Sequence, residues 1–134
     1  MLRAIRRIAV VDDDAAVRKA LMRLLEISSF DVRGFPSARD LLRDLTHSRP
    51  DCMILDLQMP NMSGLDLQQH LNRSGIRIPT VVVTAHDEPG ARERCLATGA
   101  AAYLLKPIHK AALLKAIGLA IESSTQPCAD PDPR

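Results

Sequence analysis

A chain of 134 residues, 46% hydrophobic and 25% charged, fits one domain of ordinary size with a single good core. Its net charge of +2 is too small to point to nucleic acid or an anionic membrane, and Arg3, Arg6 and Arg7 read as a solvated flank before the first strand. No apolar run approaches the ~20 residues of a membrane helix, no signal-peptide core is present, and three scattered cysteines suit neither a disulfide framework nor zinc, so a reducing cytoplasm is the expected home.

Apolar periodicity alternates between short runs and longer amphipathic stretches. Ile8-Ala9-Val10-Val11 has the continuous apolar character of a strand buried on both faces. Val17, Leu21, Leu24 and Leu25 then recur at helical spacing, with Asp14 as the N-cap. Phe30 to Phe35 alternates like a more exposed strand, and Ser37 caps a helix carrying Leu41, Leu42 and Leu45. Cys52 to Leu55 is a third buried strand running straight into Asp56; Cys52 reads as a small buried hydrophobe.

After a turn at Pro60-Asn61-Met62-Ser63-Gly64, Leu65, Leu67 and Leu71 mark another helix. Thr80-Val81-Val82-Val83-Thr84 is the strongest β signal in the chain. A helix is expected from about Glu88 to Thr98, stopped by Gly99. Ala101 to Leu105 is the fifth strand, and a last helix runs from about His109 to Glu122. Five alternating strands and helices imply an α/β parallel sheet covered on both faces. Residues 1–122 form the domain, while 123–134, including the free thiol of Cys128, have almost nothing to bury and are expected to be a disordered tail.

Ligands of such a sheet bind outside the carboxyl ends of its strands. There the chain places Asp12-Asp13, Asp56, Thr84 and Lys106. Three carboxylates in one cleft repel each other, and a divalent cation resolves the conflict. Magnesium, with manganese as a substitute, suits this oxygen set. Asp13 and Asp56 are expected as direct ligands, Asp12 through water, and the backbone carbonyl of Gln58 as a further ligand. A carboxylate so placed can attack phosphorus to form an acyl phosphate. The equatorial oxygens of that transition state need the positive charge and hydrogen bonds that the cation, Lys106 and Thr84 offer.

Val10-Val11-Asp12-Asp13-Asp14, Ile54-Leu55-Asp56-Leu57-Gln58-Met59-Pro60, Ser63-Gly64, Val83-Thr84-Ala85 and Tyr103-Leu104-Leu105-Lys106-Pro107 together resemble the response-regulator receiver family of two-component signalling, over about residues 6–122. The resemblance implies a doubly wound, flavodoxin-like (βα)5 fold with strand order 2-1-3-4-5. It implies Asp56 as phosphoacceptor from a sensor histidine kinase or phosphotransfer protein, Thr84 and Tyr103 as a switch pair in which Tyr103 turns inward, and a cis Lys106-Pro107 bond. His86 and Gln58 flank the mouth of the site, at positions that tune acyl-phosphate lifetime in the family. His47, His70 and His109 show no ligand spacing and read as surface residues.

An alternative is a phosphatase of the haloacid-dehalogenase class, which also uses a strand-end Asp and magnesium. Such enzymes carry a second Asp two residues later as acid and base; Gln58 stands there and cannot shuttle a proton. The chain is therefore read as no enzyme beyond promoting its own phosphorylation and dephosphorylation. A phosphorylation-independent docking receiver is a second alternative, although such modules lose part of the acidic set or the lysine, all of which are present here. A flavodoxin-like redox module would need a phosphate-cradling loop where this chain is acidic. Output is expected through the face of the fourth helix, fifth strand and fifth helix, where Ala111, Gly118 and Leu119 would pack against an output protein or, in a phosphorylation-dependent homodimer, a second copy. No segment for specific DNA binding is recognised, so the chain is either a stand-alone regulator or a receiver separated from its output domain.

Overall fold

The apolar runs of the sequence pair side by side in one parallel sheet. The computed structural model describes residues 5–125. Five strands, β1 (Arg7–Val11), β2 (Asp31–Phe35), β3 (Cys52–Asp56), β4 (Thr80–Thr84) and β5 (Ala102–Leu105), alternate with five helices. These are α1 (Ala15–Ile27), α2 (Ala38–Leu45), α3 (Gly64–Arg73), α4 (Ala91–Ala97) and α5 (Lys110–Thr125). The strand order is β2-β1-β3-β4-β5, the doubly wound order expected.

Every residue of β3 and β4 is buried, which is why these strands read as unbroken apolar runs. One face of the sheet, with Ile8, Val10, Cys52, Ile54, Val81 and Val83, packs on Leu21 and Leu25 of α1 and on Leu113 and Ile117 of α5. The other face sets Ala9, Val11, Met53 and Leu55 against Leu41 of α2 and Leu67 and Leu71 of α3. A third cluster joins Val82 and Tyr103 to Ala91 and Cys95 of α4. Cys52 is fully buried and its thiol is pushed up to about 12 by that burial, so it packs as an apolar group. Cys128 lies outside the described residues, as does Arg3.

The helix starts follow their capping residues. Asp14 accepts from the amides of Ala16 and Val17, and Ser37 from that of Asp40. Ser63 and Asp66 form a reciprocal capping box on α3.

Several boundaries differ from expectation, each for a local reason. β2 starts at Asp31 because the Phe30 amide closes the end of α1 on the Leu25 carbonyl at 3.1 Å, with Ser29 left-handed at φ 74°. α4 starts at Ala91, three residues late. Pro89 disfavours a helical Glu88, and Gly90 enters the helix with φ 80° and no side-chain cap. α5 runs on to Thr125, three residues into the stretch expected to be a tail, because no glycine or proline stands between Gly118 in its middle and Pro127. The rest of that stretch, 126–134, lies outside the described residues. No helix among the described residues is long and apolar enough to cross a membrane.

Candidate functional site

Register brings the chemistry together. Val11 pairs with Leu55, so the next residues, Asp12 and Asp56, leave the sheet side by side. Asp56 pairs with Val83 and Thr84 with Leu105, which puts Thr84 and Lys106 at the same edge. Residues separated by up to 94 positions thereby meet at one strand end.

Lys106 Nζ donates to Asp12 Oδ2 at 3.0 Å and to Asp56 Oδ1 at 3.2 Å. Both carboxylates are almost wholly buried, at 1% and 4% exposure, whereas Asp13 is exposed. Burial first, and then the Asp12 carboxylate, push the Asp56 carboxyl up to about 6 against the pull of Lys106. For Lys106, burial acts to lower the pKa, but its bonds to Asp12 and the charges of both carboxylates outweigh it, so the pKa is raised. The Lys106-Pro107 bond is cis, as expected.

Asp12 is held from three sides. Its Oδ1 accepts from the Asp14 amide at 2.9 Å, and its carbonyl accepts from Arg18 Nη1 at 2.7 Å. Asp14 itself caps α1, as expected. One oxygen each from Asp12, Asp13 and Asp56 lie within 4.8 Å of one another. Three clustered hard oxygen donors, two of them buried, fit a magnesium ion and are poorly satisfied by one ammonium group alone.

Gly64 sets the distance between α3 and the loop that follows Asp56. Its amide donates to the Leu57 carbonyl at 2.8 Å, and a Cβ at this position would lie 2.5 Å from the Asp56 carbonyl oxygen. Only glycine permits that approach.

Thr84 is fully buried. Its Oγ1 accepts from the His86 amide at 3.1 Å and lies 3.0 Å from the His86 carbonyl and 3.2 Å from Gln58 Oε1. A hydroxyl has one proton, so only one of these two acceptors receives it at a time. His86 and Gln58 thus do flank the site, by direct contact with Thr84. Tyr103 is turned in: the residue is 6% exposed and its hydroxyl donates to Asp87 Oδ1 at 3.1 Å. His47 and His109 are exposed, and His70 is half-buried near the end of α3.

Sequence reading missed Arg18 and Asp87. Arg18 sits one turn into an ordinary amphipathic helix, and Asp87 is one polar loop residue among several. Neither carries a one-dimensional signal.

Comparison with known proteins agrees with this geometry. The family model described as the response regulator receiver domain matches residues 8–118. Response regulator protein TodT of Pseudomonas putida is 36% identical over 119 residues, which is 89% of this chain and 52% of that protein. Transcriptional regulatory protein TdiR of Thauera aromatica is 38% identical, over 84% of this chain and 49% of its own length. The chain thus spans about half the length of the curated relatives it matches. The crystal structure of FixJ-N superposes with a TM-score of 0.82 at 30% identity, covering 90% of this chain and 96% of that one.

Proposed function

The chain belongs to the response regulator receiver domain family, and from that premise we propose that Asp56 takes a phosphoryl group from a sensor histidine kinase or phosphotransfer protein. The observation that carries this reading is the Lys106 ammonium shared between the buried Asp12 and Asp56 carboxylates, beside an exposed Asp13. A buried nucleophile, a fixed cation and an open acidic rim are the parts that phosphoryl transfer to a carboxylate requires.

An Asp56 oxygen attacks phosphorus as the P–N bond of a phosphohistidine donor breaks, and the imidazole leaves with a proton from solvent. Lys106 takes the charge that develops on the phosphoryl oxygens, and Thr84 redirects its single proton from Gln58 or His86 to one of them. Magnesium, or manganese in its place, held by Asp13, Asp56 and the Gln58 carbonyl and reached by Asp12 through water, would neutralise the acidic cluster and the phosphoryl charge. Both Asp12 oxygens are already engaged, by the Asp14 amide and Lys106, which supports the water-mediated role.

Gln58, standing where a hydrolase carries its acid and base, cannot shuttle a proton, which favours a persistent signal over turnover. The reading makes the protein cytoplasmic, where its phosphoryl donors are. Output passes through the α4–β5–α5 face, to a partner protein or a second copy; the exposed Leu96, Leu105 and Leu119, one on each element, support this. Incubation with acetyl phosphate and magnesium, followed by intact mass, tests the acceptor. One phosphoryl group is expected on the parent and none on Asp56→Asn; equal labelling of the two refutes the assignment.

A further inference from the structure

Tyr103 is the only tyrosine, and the chain has no tryptophan. Its ring packs among Leu57, Val82, Ala91 and Cys95, on the face that α4 covers. A phenol buried there needs a hydrogen-bond partner, because an unmade bond costs the desolvation of the hydroxyl. Asp87 Oδ1 supplies it at 3.1 Å. Burial, and then this contact, push the phenol up to about 12, so the hydroxyl stays a donor. Asp87 is itself exposed, and its charge therefore keeps most of its hydration while making the bond.

Asp87 lies in the loop between β4 and α4, three residues after Thr84. That loop is folded back on Thr84 through both backbone groups of His86. The tie to Tyr103 includes no atom of Asp12, Asp56 or Lys106.

We infer that Asp87 is a positioning residue that holds Tyr103 turned inward through a bond independent of the acidic site, so that the ring is buried whatever the state of Asp56. This rests on the reading of Thr84 and Tyr103 as a switch pair and alters it. Tyr103 is preset, and phosphoryl transfer redirects the Thr84 hydroxyl while the Asp87 bond to the ring stays in place. Loss of a charged acceptor shifts the inward-to-outward ratio of the ring about tenfold toward outward.

Acrylamide quenching of tyrosine emission reads this one ring. The parent, Asp87→Ala and Asp87→Asn are compared, each with and without magnesium and beryllofluoride. The parent is expected to be weakly quenched in both conditions. Asp87→Ala is expected to be more quenched than the parent without beryllofluoride, and Asp87→Asn, which keeps an oxygen acceptor, to stay near the parent. Asp87→Ala as weakly quenched as the parent overturns the inference, and so does a parent that becomes protected only with beryllofluoride. The second result needs no variant. Intact mass after acetyl phosphate separates the two readings: a parent that takes no phosphoryl group refutes Asp56 as acceptor, while quenching without beryllofluoride still decides the role of Asp87.

Discussion

Asp56 should weaken the fold that carries it, and Asp56→Asn should relieve the cost. The carboxyl is pushed from an ordinary 3.8 to about 6 by burial and by Asp12. At about 1.36 kcal/mol per tenfold change in proton affinity, that displacement is worth roughly 3 kcal/mol. The folded state binds the proton more tightly than the unfolded chain, so the cost is absent below about 3.8, grows as pH rises, and is complete above about 6. Asparagine keeps an oxygen for Lys106 and removes the charge. The amide must also find acceptors for its two protons in a buried site beside the Lys106 ammonium, so the expected gain near pH 7.5 is about 2 kcal/mol, roughly 8 °C in Tm for a domain of this size. Thermal melts of parent and Asp56→Asn, in EDTA at pH 7.5 and at pH 4, measure it. The gap should shrink to about 0.5 kcal/mol at pH 4. Magnesium at pH 7.5 should raise the parent more than the variant, because bound ligand stabilises only a fold that holds it. An equal Tm at pH 7.5, or the same gap at both pH values, would refute the electrostatic account.

Lys106→Met leaves two buried carboxylates without their cation and should cost about 3 kcal/mol at pH 7.5; urea unfolding measures it, and the loss should shrink sharply when Asp56→Asn is added. Gly64→Ala drives a Cβ to 2.5 Å from the Asp56 carbonyl oxygen and should cost about 2 kcal/mol. It should also slow labelling by acetyl phosphate, so an unchanged rate would show that the loop absorbs the methyl. Ser63→Ala removes half of the capping box on α3 and should lower the urea stability by about 1 kcal/mol.

The elements legible from the sequence were those whose cause is local. β3 and β4 are buried on both faces, so their apolar runs needed no context. Asp14 and Ser37 cap their helices because a short polar side chain next to an amphipathic run has free amides within reach, whereas Ser63, read as a turn residue, caps α3. Asp12, Asp13, Asp56, Thr84 and Lys106 were legible too, since α/β winding returns every strand end to one edge. The late start of α4 and the extension of α5 were less visible, because a Pro-Gly pair and a run of serines allow several boundaries.

Tertiary structure decided what depends on distance and direction. Which oxygens Lys106 bridges follows from the β1–β3–β4–β5 register. The raised pKa of Asp56 follows from burial beside Asp12, a quantity that no spacing encodes. The Asp87 bond to Tyr103 joins a loop and a strand whose relative placement is set by packing, and the nearer Arg18 contact to the Asp12 carbonyl depends on the angle at which α1 leaves β1. Sequence determined which groups meet at the strand ends, because periodicity and winding are local rules applied repeatedly. Only the folded chain decided how each is held, because hydrogen bonds and desolvation act over a few ångströms between residues distant in sequence.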